Sequence, residues 1–269
     1  LLASCTLPGN LTGAYCFVSM GSLDWDYRVG VGRSKSVEGP YLDAGGRSMY
    51  LDAMSASSYH EIGSKIIGGH VLEKGFSFRC QGGQSILRSN DGKILFACHA
   101  RTNFLPGYFF FLQVHQLFFT ADGWPVLNQN EYYEDKKFSE KLAPLTAADI
   151  AGNYDTILTV RGSDAKDYKP FGQGDPVTVV AADGIPTESK LVSLSADGKV
   201  SGAYTGTWSL ASDGYSFSVS LDGVGTFNGY ALKAVDWAKK KGKTRQTVTF
   251  TSIDGEKTGE YFWGNRRDK

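Results

Sequence analysis

The sequence predicts an all-β protein, and three observations carry that prediction. Its 269 residues include 33 Gly, 16 Phe and 14 Tyr but 8 Pro, a composition suited to many strands joined by tight turns. Asp-Gly pairs recur at 91/92, 122/123, 183/184, 197/198, 213/214, 222/223 and 254/255. A two-residue primed hairpin turn needs positive φ at both central positions, which this dipeptide supplies. Between the turns, apolar residues fall on alternate positions, as in Trp208 and Leu210 or in Tyr215, Phe217, Val219 and Leu221. The expected arrangement is meandering antiparallel sheet, first as propeller-like blades and then as a small barrel or sandwich, with few helices.

The elements justify this in order. Two stretches, Gly13 to Asp43 and Glu61 to Val126, read as meanders of one design. Each has a short apolar strand (Tyr15 to Ser19; Ile94 to His99), a loop and a longer strand (Tyr27 to Gly32; Phe109 to Phe119). Repeated sheets of this kind suggest propeller blades, and two blades cannot close a ring. The charged run Glu134-Asp135-Lys136-Lys137 then reads as a connector, followed by one helical turn capped by Thr146 before the next strand. The domain boundary is placed at 140, giving blades over 1–140 and, over 141–269, short evenly spaced strands that suit a compact barrel or sandwich.

Charge and hydropathy exclude several function classes. Lys plus Arg and Asp plus Glu both number 28, so no basic excess exists to track a nucleic-acid backbone or an anionic membrane. The longest apolar runs, Tyr108 to Leu112 among them, are far short of the roughly 20 residues a spanning helix needs. Nucleic acid and membrane are therefore not expected as partners. Cys5, Cys16, Cys80 and Cys98 form no Cys-x-x-Cys pair, which argues against zinc. Cys16 and Cys98 lie in apolar runs and read as buried thiols, with one disulfide left open. The chain starts at Leu1 with no signal-peptide pattern, so it is expected to be processed or a fragment. No phosphate loop, serine elbow or zincin helix occurs.

Two groups of motifs carry a family resemblance. The first is Phe17-Val18-Ser19-Met20-Gly21, then Tyr27-Arg28-Val29-Gly30-Val31-Gly32-Arg33-Ser34, then Gly39-Pro40-Tyr41-Leu42-Asp43. The second is Gly82-Gly83-Gln84-Ser85, Phe96 to Arg101, Val114-His115-Gln116-Leu117 and Asp122-Gly123-Trp124-Pro125-Val126. In that order they resemble the fourth and fifth blades of family 43 glycoside hydrolases of the endo-1,5-α-L-arabinanase type, and the remainder looks like their appended C-terminal β-barrel. The resemblance implies part of a five-bladed β-propeller followed by a small antiparallel barrel. It also implies a secreted enzyme, extracellular or periplasmic, that hydrolyses plant cell-wall arabinan, α-1,5-linked arabinofuranose, with inversion. Inversion needs an acid on the leaving oxygen and a base activating water across a gap of roughly 6.5–9.5 Å.

Residue by residue, the resemblance places its general acid Glu at Leu2, which cannot donate a proton, and its two Asp residues on earlier blades. No catalytic residue is therefore assigned to this chain, the missing N-terminal blades are expected either on a separate chain or to have been cut away or left out of this sequence, and the isolated chain is expected to be inactive. The resemblance also implies a calcium ion near a loop histidine, and that loop position is Gly83 here. His99 and Arg101 match a His-x-Arg facing the funnel, where the guanidinium's five donors suit sugar hydroxyls. Trp25 is the candidate aromatic platform, whereas the flanking Asp24 and Asp26 read better as turn residues. His115 reads as structural, His60 and His70 as loop residues, and the Lys239-Lys240-Lys241 run as a solvated hairpin. Two alternatives stand beside the enzyme: a non-catalytic relative or inactive fragment that binds polysaccharide, and an assembly role for the barrel.

Overall fold

The computed structural model describes residues 3–4, 13–21, 23, 27–50, 62–72, 77–102, 109–132, 144–159, 187–236, 245–255 and 257–267. They form an all-β protein of two blade-like sheets and a closed barrel.

The first sheet has strand order β1 (Ala3–Ser4), β2 (Ala14–Met20), β3 (Arg28–Ser34) and β4 (Ser64–Ile67). Its last strand comes from sequence read as the start of the second meander. Val29 and Val31 pair with Ile67 and Ser64, which leaves Ile66 and Ile67 fully buried against the first sheet. The second sheet runs β5 (His70–Val71), β6 (Ser77–Arg88), β7 (Ile94–Thr102), β8 (Phe111–Phe119) and β9 (Pro125–Leu127). His70, read as a loop residue, lies in β5 and is buried edge-on against Trp263.

A capping box opens α1 (Ala147–Ile150): Asp149 N–H donates to Thr146 Oγ1 and Thr146 N–H donates to the Asp149 carboxylate. The barrel follows, β10 (Gly152–Thr159), β12 (Lys190–Leu194), β13 (Lys199–Gly202), β14 (Gly206–Leu210), β15 (Ser216–Leu221), β16 (Gly225–Asp236), β17 (Arg245–Ile253) and β18 (Tyr261–Arg266), closed by β18 pairing with β10. Its interior is filled by rings: Phe250 lies 4.9 Å from Phe217 and 5.3 Å from Phe262. One two-residue strand from this half, β11 (Thr187–Glu188), leaves the barrel and adds in parallel to β5.

Blades and barrel share a core. Ile253 and Tyr261 of the barrel sit in one cluster with Phe17, Val29, Phe96, Trp124 and Val126. Tyr261 OH donates to Pro125 O at 2.9 Å and Tyr230 OH to Phe119 O at 2.6 Å. Gly255 rests against the Asp122–Trp124 turn so closely that a Cβ there would stand 2.6 Å from Asp122 Oδ2 and 2.7 Å from Trp124 Cδ1. Among the Asp-Gly pairs, Gly92, Gly123, Gly198, Gly214 and Gly223 take positive φ at the hairpin turns while the Asp before each does not, so these are not the two-residue primed turns the dipeptide suggested; Gly255 instead permits a close approach, and Asp183-Gly184 lies outside the described residues.

Candidate carbohydrate site

The candidate site lies where β6 meets the first sheet. The pairing of β6 with β7 is interrupted twice, between Arg79 and Gly82 and between Gly82 and Ser85. Cys80 takes φ +57° and Gly83 φ +61° at these bulges, which re-aim the strand as bulges do. The bulged segment is clamped to β2. Ser19 Oγ donates to Gln84 Oε1 and accepts from Gly83 N–H at 2.9 Å, while Gln84 Nε2 donates to Phe17 O at 2.8 Å. The motif Phe17-Val18-Ser19 and the motif Gly82-Gly83-Gln84 are thus two halves of one clamp.

On β7 the alternation buries Phe96, Cys98, Ala100 and Thr102 and turns Leu95, Ala97, His99 and Arg101 to the other face. His99 and Arg101 are brought together there, opposite Gly82 and Arg79 in register. The His99 imidazole stacks on Tyr27 with centroids 5.5 Å apart and planes 8° from parallel, and meets Phe110 edge-on at 4.8 Å. The Arg101 guanidinium covers the Phe110 face at 4.0 Å. His99 Nε2 is buried and has no hydrogen-bond partner among the described residues. Burial first, then the neighbouring Arg101 charge, hold His99 below the usual histidine range, so its ring is neutral at pH 7. The arrangement offers a neutral imidazole nitrogen beside a fixed cation and aromatic faces, chemistry suited to hydroxyl groups.

His115 is fully buried, with Nδ1 2.9 Å from Asn128 O, and is structural. Cys16 and Cys98 are free and buried, Cys80 is buried as well, and burial pushes the Cys98 thiol up to about 12. Leu2, Asp24, Trp25, Asp26, Cys5, His60 and the Lys239-Lys240-Lys241 run lie outside the described residues. Sequence reasoning missed Tyr27, Phe110 and the Ser19–Gln84 clamp. The available signal was the Gly82-Gly83 doublet inside a strand pattern, which marks a close approach of another group.

The family model of a C-terminal lipocalin-like domain of glycoside hydrolase family 43 matches residues 130–264. The chain belongs to glycoside hydrolase family 43. It is 28% identical over 94% of its length to the extracellular endo-α-(1→5)-L-arabinanase of Thermotoga petrophila, covering 49% of that protein. It is also 28% identical, again over 94% of its length, to the extracellular endo-α-(1→5)-L-arabinanase 2 of Bacillus subtilis, covering 50%. The crystal structure of the family 43 glycoside hydrolase YxiA of Bacillus licheniformis superposes over 99% of this chain and 55% of its own with a TM-score of 0.79 at 24% identity, a likeness of fold. The chain spans about half the length of the curated relatives it matches. Among the described residues no helix is long and apolar enough to cross a membrane.

Proposed function

We propose that this family 43 chain supplies two blades and the barrel of an extracellular or periplasmic enzyme that hydrolyses arabinan or arabino-oligosaccharides with inversion. The observation that carries the reading is the alignment of nearly the whole chain with about half of two endo-α-(1→5)-L-arabinanases. The division into blades and barrel is proposed at residue 140, within a stretch outside the described residues. The acid and base are proposed to reside on the remaining blades, since Leu2 stands at the acid's position. Those blades, on an earlier part of the same polypeptide or on a separate chain, would pack on the second sheet at the end that leaves Leu87 62% exposed, opposite Leu95 and away from His99 and Arg101.

In this mechanism the chain's own residues bind and orient. Arg101 donates to sugar hydroxyls, the buried Nε2 of His99 exchanges a hydrogen bond with one more, and Trp25 offers a ring to a furanose. The proton transfers belong to carboxylates elsewhere.

Calcium does not fit the described residues around Gly83. Gly83 carries no side chain, and the space above it is taken by the His99 ring, whose Nδ1 stands 2.8 Å from where a Cβ would lie. A hard cation seeks several oxygen ligands, whereas this position offers an imidazole beside the Arg101 cation, and among the described residues no three His, Cys, Asp or Glu side chains converge. No step is routed through a metal.

The second reading, a non-catalytic polysaccharide-binding relative, is favoured by the same Leu2 and Gly83. The anomeric configuration of the first product released from linear arabinan by the assembled protein separates them. An inverted product is expected of the enzyme, a retained product contradicts the mechanism, and binding without any product establishes the non-catalytic relative.

A further inference from the structure

We propose that Tyr27 is a positioning residue whose stacked ring, admitted by the Gly82-Gly83 pair, sets the plane of His99 and directs its unpartnered Nε2 toward a substrate hydroxyl. The proposal rests on the reading that His99 touches sugar, and extends it to a residue on a different sheet.

The geometry carries the argument. Tyr27 immediately precedes β3 of the first sheet, whereas His99 belongs to β7 of the second, and their rings are nearly parallel at 8°. Tyr27 reaches this position over Gly82: a Cβ there would lie 2.3 Å from Tyr27 Cε1 and 2.4 Å from Cδ1, so any other residue expels the ring. Gly83 makes the matching space for the imidazole itself, with a would-be Cβ 2.8 Å from Nδ1 and 3.0 Å from Cε1. Two successive glycines thus accommodate two successive rings of one stack.

Histidine χ2 has a broad, two-fold preference, so an imidazole without flanking rings turns over readily and presents either edge. Here Tyr27 holds one face while Phe110 meets the ring at 80°, which leaves little room for that rotation. The outcome is a buried Nε2 with no hydrogen-bond partner among the described residues. A buried polar atom left unpaired is costly, and it gains when a ligand completes the bond. A sugar hydroxyl both donates and accepts, so it satisfies Nε2 in either neutral tautomer. An amine or a metal cation would meet the Arg101 charge beside it.

The test compares Tyr27→Ala, Gly82→Ala and Tyr27→Phe in the purified protein, by NMR of the His99 imidazole and by calorimetric binding of linear arabinohexaose, with melting temperatures as a check on folding. Tyr27→Ala and Gly82→Ala should both shift the His99 ring protons downfield as the stacked ring leaves, and raise the midpoint of its titration. Binding should weaken by roughly five- to tenfold, the worth of one net hydrogen bond. Tyr27→Phe keeps the ring and should leave both signals as in the unsubstituted protein, an outcome that a role for the Tyr hydroxyl would not give. If the ring signals of His99 are unchanged in both alanine variants, the proposal is overturned. If they change while arabinohexaose binds as before, the seat stands and the assignment of His99 to substrate is what fails. Where Tyr27→Ala proves unfolded, Gly82→Ala and Tyr27→Phe carry the comparison.

Discussion

Lowering the pH should destabilise this protein through two buried histidines outside the candidate site. His70 and His115 are fully buried, and burial depresses each from the ordinary value of 6.5 to about 4. Each folded ring gives Nδ1 to a backbone carbonyl, Gly68 O at 3.1 Å and Asn128 O at 2.9 Å, without a carboxylate to support a positive charge. Because the folded value lies below the unfolded one, the unfolded chain binds more protons between them, and stability falls as the pH drops through about 6.5 toward 4. At about pH 5 each ring accounts for about 2 kcal/mol relative to about pH 8, or about 4 kcal/mol together. His99 is shifted the same way and adds to this. Glu131, raised by partial burial, opposes it, since its protonated form is favoured in the folded protein. Asp149, Asp197 and Asp213, all shifted downward, act only below about pH 4. Urea unfolding at both pH values measures the difference, and His115→Gln should cut it to about 2 kcal/mol. Equal stability at the two pH values, or an undiminished difference in His115→Gln, would refute the reasoning.

Three further outcomes follow from the same geometry. Gly255→Ala should cost about 1–3 kcal/mol by forcing the Asp254–Gly255 turn off Trp124, lowering the melting temperature by several degrees; an unchanged transition would show that the barrel is not held there. Arg101→Ala should lower kcat/KM of the assembled enzyme by roughly ten- to a hundredfold, from about 1.5–3 kcal/mol of charged hydrogen bonding, with little change in melting; the reverse pattern would make Arg101 structural. Residues 1–131 expressed alone should self-associate in light scattering, because removing Tyr230, Ile253 and Tyr261 uncovers the core around Trp124 and Val126; a cooperative monomer would contradict this.

Much of the fold was readable because its signals are local. Asp-Gly turns, alternation and the Thr146 cap depend on neighbours in sequence; five of the Asp-Gly pairs sit at hairpin turns, though with positive φ at the Gly alone, and Thr146 caps the helix as expected. What escaped depends on residues far apart. Ser64–Ile67 completes the first sheet because Val29 and Val31 leave an edge there, and no local pattern says which edge a four-residue strand will choose. Thr187–Glu188 leaves the barrel for β5 for a similar reason, through Thr187 N–H to Gly69 O and Ser189 N–H to Val71 O. At the site, His99 and Arg101 were picked out by their resemblance to the family's His-x-Arg, and the alternation of β7 places both on one face. Tyr27 was not, since its partner lies across two sheets and only the Gly82-Gly83 doublet hints at a guest.

The central claim is that this chain binds and orients arabinan while the acid and base lie outside it. Reducing-sugar release from linear α-1,5-arabinan, measured with the purified chain alone and then mixed with a polypeptide carrying the preceding blades, tests it most directly. No release by the chain alone and turnover on mixing is the predicted result; sustained turnover by the chain alone, in material shown free of other hydrolases, contradicts it.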